Sequence, residues 1–95
     1  MSRRVRVHEV LSFLGVDDTG VLESLRAEGL FEAEELPAEE AEELRVAAVL
    51  MEDLGVNAAG VQVVLRLRRR LLTLQGATEV ALRRALERDR SGEDG

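Results

Sequence analysis

The chain has 95 residues, a formal net charge of −6, no cysteine, one histidine and only two aromatic residues, Phe13 and Phe31. That length suits one small domain with a modest core, and the lack of cysteine removes disulfides, thiolate nucleophiles and cysteine metal sites. A lone His8 cannot build a multi-histidine centre, and two phenylalanines make no platform for stacking bases.

All 13 basic residues are arginine. Charge is segregated along the chain: residues 1–16 carry a net +2, residues 17–53 a net −11 and residues 54–95 a net +3. An acidic middle between weakly basic ends points to a basic partner surface. No apolar run reaches the roughly 18 residues of a membrane span. His8, Glu9 and Ser12 interrupt the apolar stretch after the basic start, so no secretory leader is expected and a cytoplasmic location is.

Arg4 to Val7 carries the only strand signal, and the spacing otherwise predicts helices. Val7, Val10, Leu11 and Leu14 form one helical face, and Gly15 is a helix stop. Asp17, Asp18 or Thr19 caps a second helix that turns Val21, Leu22 and Leu25 inward and stops at Gly29. "EAEELPAEE" reads as a loop. A third helix begins near Pro37, with Glu39 and Glu40 at its positive end, and runs to about Leu54 on a stripe of Leu44, Ala47, Ala48, Met51 and Leu54, widened by Val46, Val49 and Leu50. After Gly55, Asn57 caps a fourth helix, and "GAT" at Gly76 to Thr78 kinks or breaks it before a last one. The expected fold is all-α with four to five helices in one domain, residues 1–90. It comprises a helix-turn-helix remnant at 7–31, a helical hairpin at 37–75 and a C-terminal helix at 76–90, with 91–95 a disordered tail.

Two features decide between nucleic acid and protein as partner. A second helix that reads DNA brings basic and amide groups to the groove, whereas "DDTGVLESLRAEG" sets Asp17, Asp18, Glu23 and Glu28 against Arg26 alone. The four arginines of "RLRRR" read either as a phosphate-binding hand or as the solvated flanks of a packing helix. Val64, Leu67, Leu71 and Leu74 repeat at spacings of three and four, which favours a packing or dimer seam; Ala81 and Ala85 continue it if the helix runs through Gly76. The seam, Leu67 included, is accordingly expected to be mostly buried, either in the core or in a two-fold dimer.

No nucleophile, base and orienting group cluster in the chain, so it reads as non-catalytic, with no cofactor and no metal. The carboxylate runs read as solvated helix entries or as a docking face. The candidates for an acidic partner-binding face are Asp17, Asp18, Glu35, Glu39, Glu40, Glu42, Glu43 and Asp53.

"RVAAVLMEDLGVNAAGVQVVLRLRRRLLTLQ" resembles the signature of the chaperone-modulator family called CbpM, which includes the DafA-type assembly factors. The likeness rests on Leu54, Gly55, Val56, Asn57, Gly60, Val61, Leu65 and Leu67. "GVDDTGVLESLRAEGLF" fits that family's helix-turn-helix, and the likeness covers about Val5 to Gln75. The family is related to MerR-like winged-helix regulators, so the resemblance implies a degenerate MerR-like fold. Where such a regulator has a basic, aromatic wing, this chain has "FEAEELPAEE". The resemblance implies binding to the J-domain of a DnaJ-type co-chaperone, whose positive helix otherwise docks on DnaK. A MerR-like DNA-binding regulator is the alternative, and a coiled-coil structural subunit the third.

Overall fold

The computed structural model describes the backbone of residues 3–16 and 18–94 and the side chains of residues 3–16 and 20–89. It is mostly helical, with the order β1 (Arg4–Arg6), α1 (Val7–Phe13), α2 (Asp18–Ala27), β2 (Glu35–Pro37), α3 (Ala38–Glu52) and α4 (Ala58–Asp94). It divides into two compact units, Met1–Leu65 and Arg66–Gly95.

The expected helix stops are where the sequence places them. Gly15 and Gly29 have φ of 69° and 79°, a left-handed conformation that costs a residue with a Cβ. Each closes a helix with the same pair of bonds: Gly15 N–H to the Ser12 carbonyl and Val16 N–H to that of Leu11, then Gly29 to Arg26 and Leu30 to Leu25. These Schellman closures satisfy the last helical carbonyls. Asn57 caps α4, its Oδ1 accepting from the Gly60 N–H at 2.8 Å. The expected cap at Asp17 lies outside the described residues.

The expected loop before α3 contains a strand. β2 pairs antiparallel with β1 in the register Arg4↔Pro37, Val5↔Leu36 and Arg6↔Glu35. Val7 N–H donates to the Glu34 carbonyl and Ala38 N–H to that of Arg3, framing the pair. Leu36 is the reason the acidic stretch comes inward: it is 2% exposed, and period-two alternation turns Glu35 outward beside it.

The core of the first unit collects Val7, Val10 and Leu11 from α1, Val21, Leu22 and Leu25 from α2, and Leu44, Ala47 and Ala48 from α3. Val61 and Leu65 are also fully buried. On α3 the expected stripe is correct for Leu44, Ala47 and Ala48, whereas Leu54 stands 68% exposed beyond the last helical turn.

The second unit is helical. Gly76 does not end α4, which continues as one helix to Asp94. A single glycine in a helix costs only about 1 kcal/mol, and no proline follows it. The 91–95 tail expected to lack structure is thus helical through Asp94, and Gly95 lies outside the described residues. No helix among the described residues is long and apolar enough to cross a membrane.

Candidate functional site

Arg26, the only base on α2, is turned back onto its own fold. Its Nε–H donates to the Phe31 carbonyl oxygen at 3.0 Å and its terminal nitrogen to that of Ala33 at 3.4 Å. Phe31 is buried and adopts φ of 54°, a strained conformation for a residue with a Cβ. The guanidinium therefore holds the chain's exit from α2, while Glu23 and Glu28 stay exposed. Arg26→Ala is expected to lower stability by about 1–3 kcal/mol, the range for losing bonds from a charged donor to a strained loop. A urea melt followed by circular dichroism checks this, and an unchanged midpoint would show that the loop holds without it.

The acidic candidates do not form one face. Asp17 lies outside the described residues, and Asp18 opens α2. Glu35 is exposed on β2, its carboxylate 3.9 Å from Arg6 across the strand pair. On α3, Glu39, Glu40 and Glu42 are exposed, as is Asp53 at its C-terminal cap. Glu43 is a correction: it is 7% exposed and belongs to the buried side of the helix. It stands one turn before the fully buried Ala47, and residues four apart share a helical face. Among the described residues no buried side-chain nitrogen or oxygen lacks a hydrogen-bond partner, so Glu43 is seated in the fold and is not part of a docking surface.

The three-four ladder of a helix places Glu39, Glu42, Val46, Val49 and Asp53 along one side of α3. Val49 is 44% exposed, and Val46 and Leu50 are half-buried, packed on the core from outside. They line a shallow cavity of about 210 Å³ together with Glu42 and Arg45. Arg45 binds Glu42, nitrogen to oxygen 3.2 Å. Sequence reasoning assigned Val46, Val49 and Leu50 to a widened core stripe and left Glu52, exposed in the last turn, out of the acidic face. The signal that finds them is the ladder joining apolar and acidic positions.

The α4 seam is not part of the core of the single chain. Val64 is half-buried, while Leu67, Leu71 and Leu74 are 53%, 60% and 62% exposed. The α4 residues that enter the core are Ala58, Val61 and Leu65, which lie on a different phase of the helix. Arg66, Arg69 and Arg70 are exposed and Arg68 is half-buried, flanking the leucines as a packing helix requires. Comparison of the chain with protein-family models, with curated proteins and with solved structures returned no match.

Proposed function

We propose that this chain is a non-catalytic interaction module of the CbpM type, which binds the J-domain of a DnaJ-type co-chaperone and governs its docking on DnaK. The observation that carries this reading is the state of α2. Its one cation is spent on the Phe31 and Ala33 carbonyls, and the described exposed charges there, Glu23 on the helix and Glu28 just after it, are acidic. Such a helix repels phosphate, since duplex binding draws on cations that displace condensed counterions. The same acidic charge attracts a basic protein helix. The mechanism is competition, in which this chain and DnaK require one positive helix of the J-domain.

Surface plasmon resonance with the J-domain of the host's co-chaperone is the test. Binding is expected to weaken from low to physiological salt, as screening shortens to a Debye length of about 8 Å. Absence of binding at every salt concentration would remove the J-domain as partner. Duplex DNA, tested by fluorescence anisotropy, is expected to bind weakly and without sequence preference, and to be lost at about 0.15 M salt. Nanomolar, site-selective DNA binding there would instead favour a MerR-like regulator.

A further inference from the structure

We infer that the outer side of α3 is the seat of a partner's basic amphipathic helix, an inference that rests on the interaction-module reading above and names its surface. Val46, Val49 and Leu50 make the apolar floor. Glu39 and Glu42 bound it at one end of the helix, and Glu52 and Asp53 at the other.

The floor is apolar surface that folding leaves unused. Ala47 and Ala48 are fully buried while Val49, the next residue, is 44% exposed. Val46 and Leu50 rest against the core and present their outer sides to the cavity they share with Val49. The one cation of α3 is Arg45, already bound to Glu42, so the rim is left strongly negative. From Glu39 to Asp53 the strip is about 21 Å long at 1.5 Å per residue, which matches roughly four turns of a helix laid along it.

Charge decides the occupant. An apolar floor with an acidic rim is the complement of a helix bearing apolar residues at i, i+3, i+4 and i+7 with arginine or lysine on either side. The same rim opposes DNA and an anionic membrane. Floor and rim have separable duties: buried apolar anchors set how long a complex lasts, and rim charges set how often it forms.

The experiment is surface plasmon resonance on the intact chain, with the J-domain of the host's DnaJ-type co-chaperone as first probe. An 18-residue leucine–arginine amphipathic peptide is the second. Val49→Asp is expected to raise the dissociation rate at least tenfold and leave the association rate within about twofold. Glu42→Gln combined with Asp53→Gln is expected to slow association about fivefold, flatten its salt dependence and leave dissociation unchanged. Circular dichroism melts establish that each variant folds, and Val49→Ala serves as the milder floor variant if Val49→Asp does not. If the J-domain does not bind but the peptide does, with this variant pattern, the partner in the proposed function falls and the α3 strip stands. If the J-domain binds and both variant sets leave its rates unchanged, the strip is overturned and the partner stands. If the variants instead dissolve a self-associated form of the chain, the occupant is a second copy and the inference is likewise overturned.

Discussion

Leu44→Ala is expected to cost about 2–5 kcal/mol, the range for deleting a fully buried leucine from a core that relaxes only in part. Leu44 is 0% exposed in the middle of α3, in one core cluster with Leu11, Leu25 and Leu65. The loss is large beside the stability of a unit of this size, which at about 0.05–0.15 kcal/mol per residue amounts to only several kcal/mol. The chain has no tryptophan or tyrosine, so the measurement is a denaturant melt followed by circular dichroism near 222 nm. Leu67→Ala is the control. Its spacing puts Leu67 on a seam buried in the core or in a dimer, and within the single chain it is 53% exposed. Its truncation is therefore expected to leave the midpoint of a dilute sample almost unchanged. A neutral Leu44→Ala would overturn the core assignment on α3.

Those two leucines show what could be read from the sequence. Periodicity identifies the apolar side of a helix without saying what covers it. In α1, α2 and the middle of α3 the side is covered by the same chain, so the expected inward residues, Val7, Leu11, Leu22, Leu25 and Leu44, are the buried ones. Helix ends were equally legible because their chemistry is local: Gly15 and Gly29 take the left-handed turn and Asn57 caps through its own side chain. Of the strand pair only β1 was, at the Arg4–Val7 signal. β2 has three residues, too few to show alternation, and is paired to a segment about thirty positions away. Leu36, lone among acids, was its one mark.

The acidic surface was legible as charge and not as geometry. Counting carboxylates gathered residues from β2, both ends of α3 and the α1–α2 turn into one face. The helix separates them by phase. Glu39, Glu42 and Asp53 align, whereas Glu43 falls one turn before Ala47 and is drawn inward with it. A carboxylate run on a helix necessarily wraps around the axis, since each residue advances about 100°. The useful sequence mark was the apolar–acidic ladder through Val46 and Val49, which a tally of acids passes over.

Replacing Leu71 and Leu74 with arginine is expected to abolish self-association through α4 while leaving the first unit folded. The described part of the second unit is one helix with Leu67, Leu71, Leu74 and Leu82 each more than half exposed. An isolated helix in water draws most of its stability from packing an apolar face, and the continuity of α4 through Gly76 brings Thr78, Ala81 and Ala85 into phase with these leucines. One end of the seam is thus bulky and the other small. A second copy running antiparallel sets Leu67, Leu71 and Leu74 against Ala85, Ala81 and Thr78, filling space at each layer as knobs in holes require. Repulsion is also smaller in this direction: a parallel pair stacks the four arginines at 66–70 on their own copies, while this antiparallel register sets them against residues 82–86, which carry two, Arg83 and Arg84. Four leucines lost per dimer, at about 1–2 kcal/mol for the part of each still exposed, should raise the dissociation constant at least about a thousandfold. Sedimentation equilibrium of the unaltered chain and the double variant reads this directly. Because the chain has no cysteine, direction is tested by mixing Leu71→Cys chains with Ala81→Cys chains under mild oxidation. A disulfide between unlike chains is expected. Efficient linking of Leu71→Cys chains to one another would mean a parallel pair, and a monomer at every concentration would show that no second copy covers the seam.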